Sequence, residues 1–229
     1  NNRLLAACFQ SQLDDWAKKA RIGSLEEKDR HFDGFLDTFR AEIRKAAETP
    51  ETFIITSEHF HSRLVGQDIA RLAAFLRETF DEISVCCYFR NQFDMAVSRY
   101  STAIKGRSTV ALSEFMRSVR PRSHAYNFLD VADSWATEFG REHCHFRIYD
   151  RAQFLDGDIR KDFATLVDAG IDLDRLSYTI ERSNESLSAL QAAAFRAVNA
   201  RVSFWADSRG GANEANRRAK EALTGVEAL

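Results

Sequence analysis

The segment Ile83-Ser-Val-Cys-Cys-Tyr-Phe89 is apolar, aromatic and β-branched, and it runs straight into Arg90 and then into residues with helical spacing. A short run of this kind reads as a buried strand. Beyond it Phe93, Ala96, Val97 and Tyr100 fall on one side of a helix. Arg90 therefore lies where strand gives way to helix, and Ser98 sits about two turns into that helix. In an open α/β sheet the carboxyl ends of strands face the ligand crevice, so an arginine there is placed to take an anion. The competing reading pairs Arg90 with a carboxylate such as Asp94 and leaves Ser98 as a surface helix residue.

Upstream, Leu5, Phe9, Leu13 and Trp16 repeat at helical spacing within Leu4 to Ala20, and no strand precedes them. Ser24 with Glu27 has the form of a capping box, and Phe32, Phe35, Leu36, Phe39 and Ile43 predict a second amphipathic helix to about Glu48. Phe53-Ile-Ile-Thr56 reads as a short buried strand, and Ile69, Leu72, Ala73, Leu76 and Phe80 as the stripe of a helix between two strands. Strands alternating with helices argue a parallel sheet with right-handed crossovers.

Downstream, helices are expected through Val110 to Val119 and Tyr126 to Phe139, with Trp135 and Phe139 in the core. His143 to Tyr149 alternates polar and apolar, which predicts a third strand ending at Tyr149. A short helix follows over Ile159 to Val167, with Gly170 as its expected cap, and a long one over Leu187 to Trp205. The Gly210-Gly211 pair sets off a polar tail. The expected organisation is one α/β domain over residues 1–209 and a helical tail over 210–229, docked or frayed.

The 229 residues carry a formal charge of −2, so no overall basic field recruits nucleic acid. No apolar stretch approaches the roughly 20 residues that span a bilayer, and the cytoplasm is the expected compartment. Cys8, Cys86, Cys87 and Cys144 form no Cys-x-x-Cys pair and are expected as free thiols. His59-x-His61 is the nearest approach to a metal pair, with no third ligand near in sequence, and no metal is expected.

The run Tyr88-Phe-Arg-Asn-Gln-Phe-Asp-Met-Ala-Val-Ser98 resembles the 3′-phosphate motif of sulfotransferases that use 3′-phosphoadenosine 5′-phosphosulfate, PAPS. The wider pattern is most similar to bacterial sulfotransferase-like proteins. The resemblance covers about Leu4 to Ser188 and implies a P-loop-nucleotide-kinase-like α/β fold, with a central parallel sheet flanked by helices. It assigns Arg90 and Ser98 to the 3′-phosphate. Tyr149, in Arg-Ile-Tyr-Asp-Arg, resembles a tyrosine that lies near the adenine in the family, though an aromatic at a strand end is as readily a core residue. Asp162-Phe163 and Arg182 to Ser188 also resemble family elements, with Ser186 or Ser188 alternatively capping the next helix.

The general base in this family sits at the end of the strand that here is Phe53 to Thr56. By chain order Glu58 falls nearest that place, with His59 beside it and His61 further on. Partial burial beside a cleft would raise the pKa of Glu58 or lower that of His59, making either a usable base. The alternative has Glu58 capping the following turn and the histidines exposed.

The family's opening strand and its Lys/Gly/Ser/Thr loop around the 5′-phosphosulfate have no counterpart here. Two accounts compete: the residues are part of a longer protein, the favoured expectation, or this is a variant without donor binding. The implied activity is transfer of a sulfuryl group from PAPS to a hydroxyl or amine, with a carbohydrate acceptor expected. The alternative is a non-catalytic binding or scaffold protein on the same fold.

Overall fold

A computed structural model describes the chain except residues 1, 15, 18, 19, 47–51, 169, 178–185, 207–212 and 225–229. It is a mixed α/β structure, mostly helical, with a small two-stranded parallel sheet. Its contacts divide it into two compact units, residues 1–87 with 121–147 and residues 88–120 with 148–229. The division falls inside both strands.

The first unit is helical: α1 (Asn2–Phe9), α2 (Leu25–His31), α3 (Phe35–Ala46), α4 (Glu58–Arg63), α5 (Gln67–Arg77) and α8 (Phe128–Phe139). Leu5, Leu64, Ile69, Leu72 and Val131 are almost wholly buried there, where α1 packs on α4 and α5, and α5 on α8. Phe75 anchors this core, with ring centroids 5.5 Å from Phe9 and 6.0 Å from Phe39. Trp135 and Phe139 are buried as their spacing predicted.

The second unit is built on α6 (Gln92–Lys105), with α7 (Leu112–Ser118), α9 (Ile159–Val167), α10 (Ala189–Arg201) and α11 (Glu214–Thr224). Tyr100, Ile104, Ala192 and Phe195 form its core, joined by Phe115, Leu187 and Leu223. α11 is docked: the Asn216 amide donates to Val202 O at 2.8 Å, and Lys220 Nζ donates to Lys105 O and Gly106 O at 3.0 and 2.5 Å. The docked alternative for the tail is the one found over Glu214 to Thr224.

The sheet consists of β1 (Val85–Phe89) and β2 (Cys144–Ile148), both within the runs that predicted them. Their pairing continues one step further, with Tyr149 N–H donating to Phe89 O at 2.8 Å. The expected central sheet is narrower than the sequence suggested. Phe53 to Thr56 has no ladder partner among the described residues and lies outside regular secondary structure, with Phe53 and Ile55 half-buried and Ile54 and Thr56 exposed. β-branched residues supply propensity, but a strand exists only against a neighbour.

Helix boundaries differ where the chain turns. The helix expected from Leu4 to Ala20 stops at Phe9, and the amphipathic stretch around Phe32 is divided by Gly34, whose φ of +70° breaks the repeat before α3. The Ser24 cap is present, with Ser24 Oγ accepting from Glu27 N and Glu27 Oε2 accepting from Gly23 N. α10 begins at Ala189 rather than Leu187 because Ser188 caps it in a full capping box with Gln191, and it ends at Arg201, short of Trp205. Asp168, rather than Gly170, closes α9. The Gly210-Gly211 pair lies outside the described residues.

Candidate functional site

Arg90 leaves the carboxyl end of β1, and Tyr149 leaves that of β2. Because the strands are parallel, both side chains emerge at the same end of the pair. The Arg90 guanidinium carbon lies 5.9 Å from the centre of the Tyr149 ring, and both residues are exposed, Tyr149 by 43%. No ion pair joins Arg90 to Asp94 among the described residues, so the guanidinium faces solvent beside an aromatic plate. That arrangement suits a ligand carrying both an anion and a flat ring.

The helix that follows is closed to an anion at its N-terminus. Asn91 is its N-cap, and its side-chain oxygen accepts from Phe93 N at 2.9 Å and from Asp94 N at 3.4 Å. An anion at this junction must therefore rely on side chains. Asn91, Asp94 and Ser98 recur at helical spacing along one side of α6, and Ser98 is half-buried.

Tyr149 is held from behind. Its ring meets Phe154 edge-on at 5.3 Å, and Phe154 meets Tyr88 edge-on at 5.8 Å. The Tyr88 hydroxyl donates to Asp162 Oδ2 at 2.6 Å, and Asp162 Oδ1 accepts from Leu155 N at 3.4 Å. Asp162 is buried, which explains its place in an otherwise amphipathic helix: it binds β1 to the turn after β2. Sequence reasoning missed Tyr88 and Phe154, because nothing in the local pattern shows that residues so far apart share one aromatic stack.

The Glu58 segment belongs to the first unit. Ser57 caps α4 by accepting from His59 N at 3.2 Å. The expected burial of Glu58 is not found: its side chain is 88% exposed, as the first residue of the helix, while that of His59 is only 14% exposed. Burial, together with the charge of Arg3, pushes the His59 pKa down, and the Glu58 carboxylate at 3.9 Å only partly offsets this. Its Nδ1 is buried with no hydrogen-bond partner among the described residues. His61 stacks on His124 at 6.4 Å, and His61 O is 2.9 Å from His124 Nε2. Neither histidine pair forms part of a metal cluster, since no group of three or more candidate ligands occurs among the described residues.

No described protein family matches this chain, and neither does any solved structure. It is 30% identical over 148 residues to an uncharacterized protein of Archaeoglobus fulgidus, an alignment that takes in 64% of this chain and 38% of that protein. The chain thus spans well under half the length of this relative.

The remaining features give bounds on chemistry. Cys8, Cys86, Cys87 and Cys144 are free thiols. Burial raises Cys87 to about 12 and also raises Cys8 and Cys144, which keeps these thiols protonated and poorly nucleophilic. No described helix is long and apolar enough to cross a membrane.

Proposed function

We propose that this chain carries the 3′-phosphate half of a sulfotransferase-like domain on a P-loop-kinase-like α/β fold, and that the whole protein transfers a sulfuryl group from PAPS to a carbohydrate hydroxyl or amine. One observation carries the reading: an exposed arginine at the end of β1 stands over an exposed tyrosine at the end of β2, within the motif Tyr88 to Ser98. Arg90 takes the 3′-phosphate through charge-assisted hydrogen bonds, Ser98 adds its hydroxyl from α6, and Tyr149 offers its ring to the adenine.

In this reaction the acceptor oxygen or nitrogen forms a bond to sulfur while the bond from sulfur to the bridging phosphate oxygen breaks. Adenosine 3′,5′-bisphosphate leaves with that electron pair, and the acceptor proton passes to a base. The resemblance assigns that base to the segment around Glu58. Within that segment the Glu58 side chain is 88% exposed and that of His59 14%, and burial lowers the pKa of His59, which favours the imidazole as the acceptor.

The test is calorimetry of the full-length protein with adenosine 3′,5′-bisphosphate. Binding that Arg90→Ala weakens about tenfold or more is expected, from the ~1.5–3 kcal/mol of a hydrogen bond to a charged group. Absence of binding by the unaltered protein overturns the reading. Binding without sulfuryl transfer from PAPS leaves a nucleotide-binding protein and removes the enzyme.

A further inference from the structure

Behind Tyr149 stands a connected set of side chains whose only exposed member is Tyr149 itself. Asp162, buried on α9, accepts from the Tyr88 hydroxyl through Oδ2 and from the Leu155 amide through Oδ1. One carboxylate thus fixes both the end of β1 and the backbone next to Phe154. Phe154, itself 7% exposed, is wedged between two tyrosines, edge-on to each at interplanar angles of 82° and 80°. An aromatic ring held edge-to-face on one side cannot tilt without losing that contact. The orientation of the Tyr149 ring, and so the plate it offers beside Arg90, is set by Phe154 and by the Tyr88–Asp162 bond behind it.

We infer that Phe154, with the Tyr88–Asp162 hydrogen bond behind it, is a positioning device that selects for a purine at the Arg90–Tyr149 site, while phosphate recognition is left to Arg90. The inference rests on the nucleotide reading above and adds the source of base selectivity. Two-ring bases overlap a fixed tyrosine more than one-ring bases do, so a preset ring angle rewards purines. Stacking is worth about 1–3 kcal/mol per base, a factor of about 5 to 150 in affinity. Phosphate contacts act on every nucleotide alike. Losing the plate should therefore change the ratio between bases, and losing the arginine should not.

The experiment measures dissociation constants of adenosine 3′,5′-bisphosphate and cytidine 3′,5′-bisphosphate for the full-length protein and three variants. The unaltered protein is expected to prefer the adenosine compound by about tenfold. Phe154→Leu should bring that preference to near unity, mostly through weaker adenosine binding. Tyr88→Phe, which removes only the hydroxyl that Asp162 holds, should reduce the preference about two- to threefold and serves if Phe154→Leu does not fold. Arg90→Ala should weaken both ligands equally. If the unaltered protein binds and Arg90→Ala weakens both, yet Phe154→Leu and Tyr88→Phe keep the full preference, the positioning role is wrong and the nucleotide reading stands. A purely structural role would weaken both ligands alike in every variant, and that result also overturns the inference. If the unaltered protein binds neither bisphosphate, both readings fail together.

Discussion

The Lys28 ammonium lies 2.5 Å from the carbonyl oxygen of Gln10, in the interior of the first unit, and also donates to Cys8 O at 2.9 Å. Lys28 is only 5% exposed. α1 ends here with carbonyls that have no partner within the helix, and a side chain from α2 supplies one. Arg71 from α5 does the same for Phe9 O while pairing with Asp68. Two cations thus close the negative end of a helix whose sequence has no basic residue in its last turn.

Lys28→Met keeps the length and apolar stem but leaves the carbonyls of Cys8 and Gln10 short of a donor. Unsatisfied buried polar groups cost about 1–3 kcal/mol each, and loss of the buried ammonium's own desolvation penalty offsets part of that. The expected net loss is about 1–3 kcal/mol, read as a lower denaturation midpoint in urea with an unchanged slope. An unchanged midpoint would show that the carbonyls find water instead.

The His59 imidazole has its pKa lowered by burial, with the charge of Arg3 adding to the effect. The unfolded chain therefore binds a proton at a higher pH than the folded one. Stability from this group is complete above the ordinary histidine value of about 6.5 and is lost as pH falls below it toward the folded value. His59→Phe fills the same space without titrating. Urea denaturation at intervals from about pH 7.5 to 5 should show a steeper fall for the unaltered protein than for this variant. Parallel curves would mean that His59 titrates as an exposed residue.

How much of this was legible in the sequence depended on whether the signal was local. α9 was predicted at its observed bounds, and β1 and β2 lie inside their predicted runs, because apolar period and composition are properties of a few neighbours. A serine cap at 186 or 188 was also expected, and Ser188 is the one that forms it, with Gln191. Phe53 to Thr56 had the composition of a strand but lacked the neighbour that makes one. The exposure of Glu58 and the burial of His59 were likewise hidden, because adjacent residues at a helix start point in different directions and only the packing of α1 decides which is covered. The Tyr88, Phe154 and Asp162 stack joins three elements and leaves no trace in any one of them.

Arg90→Lys keeps the charge but not the planar fork. An ammonium offers a point charge to a phosphate, whereas guanidinium offers two parallel donors, here 5.9 Å from the centre of the Tyr149 ring. Affinity for adenosine 3′,5′-bisphosphate should fall nearly as far as in Arg90→Ala, by about tenfold, and should be more sensitive to salt. Full retention in the lysine variant would show that charge alone suffices and that the Tyr149 contact is incidental.

On the proposed sulfotransferase reading, Glu58 and His59 are separable as proton acceptor by two substitutions in the full-length protein. Glu58→Gln alters a solvated side chain at the helix start, and kcat should change less than about threefold. His59→Gln removes the group whose burial keeps it neutral, and general-base loss typically costs about 10²–10⁴ in rate. The pH profile of kcat should also lose its acid limb in the histidine variant alone. The reverse order of effects would return the role to Glu58, as the resemblance assigned it.

Lys220 closes α6 as Lys28 closes α1. Its ammonium donates to Lys105 O and Gly106 O from α11, and it lies 5.4 Å from the Phe204 ring and 5.8 Å from the Phe195 ring. Asn216 adds bonds to Val202 O and Asn199, and Asn199 donates in turn to Ile104 O and Ser108 O at 2.9 Å each. α11 is thus fastened by polar groups directed at the ends of α6 and α10 in addition to Leu223 against the core, while Glu214, Arg217, Arg218 and Glu221 pair with one another on its outer face. Lys220→Met together with Asn216→Ala removes both anchors while sparing the Tyr100, Ile104 and Phe195 core. Amide exchange should then rise by one to two orders of magnitude across Glu214 to Thr224, with α10 protected as before, because the expected loss of about 2–3 kcal/mol falls on local opening rather than on global unfolding. Equal loss of protection in α10 would show that α11 is part of the core instead of a helix fastened onto it.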